Sequence, residues 1–276
     1  MEQGINLIKS QLEEAMAEYA KKDICLAFSG GVDSSLLLKA ASDAAGKTGK
    51  KVYAVTFDSR LHPSCDLEIA ARVAKELGGI HQVVRVNELD QEEIRFNPVN
   101  RCYLCKKKLF QSLKDFAGEM NIPYIMDGTN EDDLHVYRPG IKALQELEII
   151  SPLAELHIKK AQVKELAAGY GISVASRPSA PCMATRLPYY TEIDYDILER
   201  IGKGEEYLSS LVKGNVRLRL HRDVVRIEVD KASMGELLER SGEIVLRLKE
   251  LGFTYITMDL EGFRSGSMDV GIETGK

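Results

Sequence analysis

Residues 24–39, Ile-Cys-Leu-Ala-Phe-Ser-Gly-Gly-Val-Asp-Ser-Ser-Leu-Leu-Leu-Lys, restrict this chain more than any other stretch. The apolar run 24–28, partly aromatic and β-branched, reads as a strand, and Leu36, Leu37, Leu38, Ala40 and Ala41 read as a helix. Between the two lies only a tight loop. Glycines there let a ligand approach the backbone, and the first helical turn presents unpaired N–H groups that carry partial positive charge. The spacing therefore predicts a phosphate-binding turn, with Ala27, Gly30 and Gly31 on the backbone path and Ser29, Ser34 and Ser35 adding hydroxyls. Asp33 supplies a carboxylate suited to Mg²⁺. No Gly-x-x-x-x-Gly-Lys-Ser/Thr run occurs in the chain, which excludes a Walker loop. The plainer alternative is a glycine link between strand and helix.

Around this turn the pattern alternates. A lead-in helix spans about 6–19, the run 51–58 suits a strand covered on both faces, 65–77 a helix, 80–86 a third strand and 122–126 a fourth. Residues 149–153 are expected to bring the last strand and 159–170 the closing helix. This grammar predicts an α/β fold, a doubly wound parallel sheet. In such sheets ligands sit beyond the carboxyl ends of the strands, so Thr56, Phe57 and Asp58 are expected near an adenosine, although Asp58 serves equally well as a turn cap. By the same logic Gly128, Thr129 and Asn130 close over the nucleotide. Asp132 and Asp133 reach a metal or substrate, or simply belong to a solvated loop.

From about residue 194 the grammar changes to a small α+β domain. Three prolines crowd the stretch from Pro178 to Pro188, and the boundary is set just after Arg186, giving domains 1–186 and 187–276. In 215–221, strict alternation places Arg217 and Arg219 on one strand face. Two guanidinium forks there suit a phosphate, as does Arg186; the alternative is a sheet face paired with neighbouring acids. Glu205 or Glu206, on the preceding helix, is a candidate base or Mg²⁺ ligand.

The net charge of −5 argues against a surface-wide grip on nucleic acid, and no apolar run approaches the roughly 18 residues of a membrane span. No export signal is visible at the N-terminus, which points to the cytoplasm. Disulfides are not expected there, and the Cys102/Cys105 pair directs attention to metal or sulfur chemistry. Alone, Cys-x-x-Cys fits a redox dithiol, half a zinc site or half an iron–sulfur site. With Cys182 it gives three thiolates, enough for a [4Fe–4S] cluster with one open iron; with His135 or His157 it gives zinc. Cys25 reads as a small buried hydrophobe, and nothing recruits Cys65.

Ser29 to Ser35 resembles the pyrophosphate loop of the N-type ATP pyrophosphatases. Together with 127–133, Ser151-Pro-Leu, Pro181-Cys-Met-Ala-Thr-Arg186, Val216-Arg-Leu-Arg219 and Arg226-Ile-Glu228, it makes nearly the whole chain similar to LarE, a family of ATP-dependent sulfur transferases. The resemblance implies ATP and Mg²⁺ as cofactors. It implies a pyridinium-3,5-biscarboxylic acid mononucleotide as substrate, whose carboxylates are adenylated and converted to thiocarboxylates for a nickel-pincer cofactor. It also implies either sacrifice of Cys182 or, matching the three cysteines here, a [4Fe–4S] cluster; the sulfur donor is left open. A homo-oligomer, with a hexamer as candidate, is implied as well. Three rivals keep the loop: a tRNA-thiolating enzyme, an amide-forming synthetase that leaves the cysteines idle, and a nucleotide- or metal-sensing module without turnover.

Overall fold

Residues 2–62, 65–136, 138–177 and 181–270 are described in a computed structural model. Tyr137, residues 178–180 of the proline-rich stretch and the side chain of Cys65 lie outside the described residues. The chain divides into two units, one from Met1–Glu88 and Asn100–Ala180, the other from Leu89–Val99 and Pro181–Lys276.

In the first unit the order is α1 (Glu2–Tyr19), β1 (Ile24–Ala27), α2 (Val32–Thr48), β2 (Val52–Asp58), α3 (Cys65–Glu76) and β3 (Ile80–Arg85). Past the segment that joins the other unit, α4 (Glu92–Arg95), come α5 (Arg101–Glu119), β4 (Tyr124–Met126), α6 (Glu131–Leu134), α7 (Gly140–Glu146), α8 (Pro152–Glu155) and α9 (Lys160–Gly169). The strands pair in parallel in the order β3-β2-β1-β4. Both faces of the sheet are covered, which explains why the strands read as continuous apolar runs. Ile24, Leu26, Val52 and Ala54 pack into a core with α1, α2, α3 and α9. Their alternates Cys25, Tyr53 and Val55 pack with Leu109, Phe110, Leu113 and Leu144 of α5 and α7. Cys25 is thus a core residue, and burial pushes its thiol up to about 12. The strand expected over 149–153 shrinks to one parallel bridge between Met126 and Ile150. Pro152 has no N–H to give a ladder, and its fixed φ suits the first turn of α8.

The order 3-2-1-4 is informative. From β1 the chain winds one way through β2 and β3 and then returns to the other side of β1, so the sheet's switch point lies between β1 and β4, where open α/β sheets leave a crevice.

The second unit reaches back into the first half of the sequence. Asn97, fully buried, donates its Nδ2 to the carbonyls of Leu187 (3.2 Å) and Pro188 (2.8 Å), and its own carbonyl accepts from Tyr190 N at 3.1 Å. Arg95 pairs with Glu192, and Ile193 N donates to Arg95 O. A single cut after Arg186, as the sequence suggests, separates Leu89–Val99 from these partners and also divides the 3-10 turn Met183–Arg186 from its unit. The rest of the unit is α10 (Tyr195–Leu211), β5 (Val216–His221), β6 (Val224–Val229), α11 (Met234–Glu239), α12 (Ser241–Glu250) and β7 (Tyr255–Met258). β5 and β6 form an antiparallel hairpin, and β7 adds in parallel to β6. No helix among the described residues is long and apolar enough to cross a membrane.

Candidate nucleotide site and cysteine loop

The switch point of the first unit opens into a cavity of about 400 Å³. Strand ends and the loop after β1 bring Ala27, Ser29, Asp33, Ser34, Thr56, Phe57, Gly128 and Thr129 to its wall, as the sequence predicts. Gly30 and Gly31 form the turn behind it. Gly30 has φ +67°, and a Cβ there would lie 3.0 Å from Ala70 Cα, so only glycine fits comfortably. Gly31 caps α2 without any side-chain hydrogen bond to the helix, which leaves the N-terminal N–H groups available to an anion. Ser29 and Ser34 bind the turn itself, through Gly31 N to Ser29 Oγ (3.3 Å) and Ser34 Oγ to Gly31 O (3.2 Å). Ser35, also expected to donate a hydroxyl, is fully buried and is not among the residues on the cavity wall.

Gly128 presses against this turn from β4. A Cβ on it would meet Ser34 N at 2.9 Å and Asp33 C at 3.2 Å, so the two loops touch backbone to backbone. Next to it the buried Asp127 accepts from Thr129 N (3.2 Å), Thr129 Oγ1 (2.5 Å) and Ser151 Oγ (2.6 Å), with Lys106 Nζ at 3.5 Å. Thr56 Oγ1 donates to Phe28 O at 2.8 Å and so accepts from His81 Nε2 at 2.9 Å. Burial lowers the His81 pKa, which favours the neutral ring in that contact.

Asp33, the expected Mg²⁺ ligand, is ion-paired with Lys160 and accepts from Asn130 Nδ2 at 3.0 Å. Asp132 and Asp133 are occupied by structure: Asp132 accepts from Lys160 N at 2.7 Å, while Asp133 completes a capping box with Asn130 and pairs with Arg138 at 2.9 Å. Among the residues that sequence reasoning missed are Lys106 and Asp127, on the cavity wall, and Lys160, the partner of Asp33. For Lys106 a signal was present, since it stands one helical turn from Cys102 on the same face of α5.

Cys102 and Cys105 occupy the first turn of α5, the former exposed and the latter half-buried. Their i, i+3 spacing puts both thiols on one side of the helix, and Arg101 Nη2 donates to Cys102 Sγ at 3.6 Å. Among the described residues no group of three metal-ligating side chains is assembled. His135 and His157, the alternative zinc partners, both bond Glu131, at 2.7 and 3.0 Å, and the His135 bond first of all holds the Glu131 carboxyl below its usual range.

Cys182 lies in the second unit, half-buried at the start of the 3-10 turn Met183–Arg186. Arginines pin this loop. Arg186, 2% exposed, makes a two-pronged pair with Glu205 at 2.8 Å and donates Nη1 to Pro181 O (3.1 Å) and Thr185 Oγ1 (3.0 Å). Glu205 Oε1 also accepts from Leu218 N at 2.9 Å, so both carboxylate oxygens are engaged. Arg219, 5% exposed, donates Nη1 to Thr185 O (2.8 Å) and Nε to the fully buried Glu228 (3.1 Å). Burial lowers the pKa of Arg219 and likewise that of Arg217.

A parallel sheet with a glycine-rich anion turn at its switch point defines the class of PP-loop α/β nucleotide-binding proteins, and residues 6–134 match the PP-loop domain family. The chain is 35% identical over 246 residues to the pyridinium-3,5-bisthiocarboxylic acid mononucleotide synthase of Lactiplantibacillus plantarum, covering 89% of this chain and 88% of the relative. It is 37% identical over 266 residues to an uncharacterised Synechocystis protein (95% and 98% covered), and 30% identical over 258 residues to one from Methanocaldococcus jannaschii (94% and 96%). The chain therefore belongs to the LarE family of PP-loop proteins.

Proposed function

We propose that this chain is an ATP-dependent sulfur transferase that adenylates the carboxylates of a pyridinium-3,5-biscarboxylic acid mononucleotide and converts them to thiocarboxylates. The observation that carries the reading is the uncapped N-terminus of α2, open to the switch-point cavity in a chain related to such a synthase. In this reading the α2 N–H groups and Ser29 hold the ATP phosphates, Lys106 offers a second cation, and Thr56, Phe57, Gly128 and Thr129 enclose the nucleoside. Asp33 binds Mg²⁺ once Lys160 turns from it to phosphate.

A substrate carboxylate attacks the α-phosphorus and pyrophosphate leaves. The acyl adenylate then carries a leaving group that needs no proton, and a sulfur nucleophile at the acyl carbon expels AMP. Arg217 takes the mononucleotide phosphate. Arg186, Arg219 and Glu205 serve by fixing the Cys182 loop, and Glu205 does so through Arg186.

Cys102 and Cys105 suit two thiolate ligands of a [4Fe–4S] cluster, and Cys182 as the third is part of the proposal. Such a cluster would supply an iron able to carry an extra sulfide. In its absence Cys182 is itself the sulfur source. The reading includes a cytoplasmic protein and a homo-oligomer.

Anaerobic iron and labile-sulfide analysis of the wild type and of Cys102→Ala, Cys105→Ala and Cys182→Ala tests the cluster. Iron lost in all three variants supports three-cysteine ligation. Iron-free protein whose Cys182 becomes dehydroalanine after one turnover overturns it in favour of the sacrificial route.

A further inference from the structure

The arginines on and beside the β5–β6 sheet of the second unit are not alike. Arg186 has Glu205, Arg219 has Glu228, Arg226 has Glu228 and Asp259, and Arg264 has Asp259 and Glu261. Arg217 has no carboxylate within salt-bridge distance among the described residues. Its Nη1 donates to Val216 O at 2.6 Å, and its Nε is buried with no partner. What stands against it is an aromatic ring, with the centroid of Phe263 5.5 Å from the guanidinium carbon.

Phe263 belongs to the segment that follows β7, and that segment is tied down on both sides of the ring. Phe263 N donates to Val229 O at 2.8 Å. Ser267 Oγ donates to the buried Glu228 at 2.7 Å, and Tyr189 OH donates to Asp269 at 2.8 Å. The strap therefore shares Glu228 with Arg219 and Arg226, and the ring is held by the same network that pairs the other arginines.

A ring and a carboxylate hold a guanidinium in different ways. A carboxylate consumes the in-plane N–H groups, whereas the negative face of a ring stabilises the cation and leaves those donors for another acceptor. A cation short of solvent and of a counter-ion, with donors to spare, is an anion site awaiting its anion.

We propose that the C-terminal strap is part of this anion site, and that Phe263 is a positioning residue that keeps Arg217 clear of Glu205 and Glu228 for a phosphate monoester of the ligand. The inference rests on the reading of Arg217 as the mononucleotide's phosphate ligand, and the test separates the two. Without the ring, Arg217 collapses toward the carboxylates beside it and the site neutralises itself.

Isothermal titration of the full chain with nicotinic acid mononucleotide, a pyridinium mononucleotide, and separately with ATP gives the test. Phe263→Leu keeps apolar bulk and removes the ring quadrupole. It should weaken the mononucleotide about tenfold and leave ATP affinity unchanged, while Phe263→Tyr should restore it. Ser267→Ala, which loosens the strap but spares the ring, should weaken the mononucleotide by a smaller factor with the same selectivity. If Arg217→Ala abolishes mononucleotide binding but Phe263→Leu binds like wild type, the strap inference falls and the Arg217 reading stands. If Phe263→Leu weakens ATP equally, its role is general stability and the inference falls. If Arg217→Ala binds normally, both fall.

Discussion

In the function proposed above, the two units hold an anion by different means. In the first, both sheet faces are apolar and the ligand is offered backbone: an uncapped helix end, a turn of small residues, and a β4 loop that meets it at glycine. In the second, the sheet face itself carries charge. Arg219 and Glu228 are nearly or fully buried and neutralise each other, and Arg217 is left over. A backbone site depends on local conformation and tolerates changes of neighbouring side chains. A side-chain site depends on every partner that keeps the other charges occupied.

The sharpest way to break this comparison is Glu228→Ala. It leaves the buried Arg219 uncompensated, takes one of its two carboxylates from Arg226, and should cost about 3–5 kcal/mol of stability, read from the urea midpoint. A loss within surface-mutation range would mean that burial of the second unit's network is not what holds it.

The counterpart in the first unit is Gly128→Ala. The added Cβ meets backbone rather than a flexible side chain, so the turns must part, at roughly 1–3 kcal/mol, and ATP affinity should fall while mononucleotide affinity persists. Equal loss of both ligands would show that the sites are not separable.

The smallest effect is a pH dependence shared by both units. Burial lowers the pKa of His81, and burial followed by Arg226 lowers that of His221. The unfolded chain then binds more protons than the folded one, so stability is complete above the unfolded pKa, about 6.5, and declines as pH falls through the folded values. Replacing both histidines with glutamine should flatten the slope just below pH 6.5; an unchanged slope would assign it to other groups.

The contrast also explains what the sequence could tell. The phosphate turn is encoded within seven residues, Ser29 to Ser35, because strand end, glycine dihedrals and helix start are all local. The doubly wound order follows from the alternation of apolar runs. The pairing of Asp33 with Lys160, 127 positions away, carries no local mark. The Arg217/Arg219 alternation was visible. That the two differ was not, because the register sets Glu228 opposite Arg217, yet Glu228 pairs diagonally with Arg219, and the ring of Phe263 in the strap after β7 stands against Arg217. The same holds for Leu89–Val99, whose buried Asn97 belongs to a partner segment about ninety residues on.

The most direct test of the central claim is a single-turnover reaction of anaerobically prepared protein with ATP, Mg²⁺ and pyridinium-3,5-biscarboxylic acid mononucleotide, followed by mass spectrometry of the nucleotide and product pools. AMP and pyrophosphate are expected in equal amounts, with a mononucleotide in which carboxylate oxygen has been exchanged for sulfur. ADP and phosphate as products, or AMP formed while the pyridinium carboxylates stay unchanged, would contradict it.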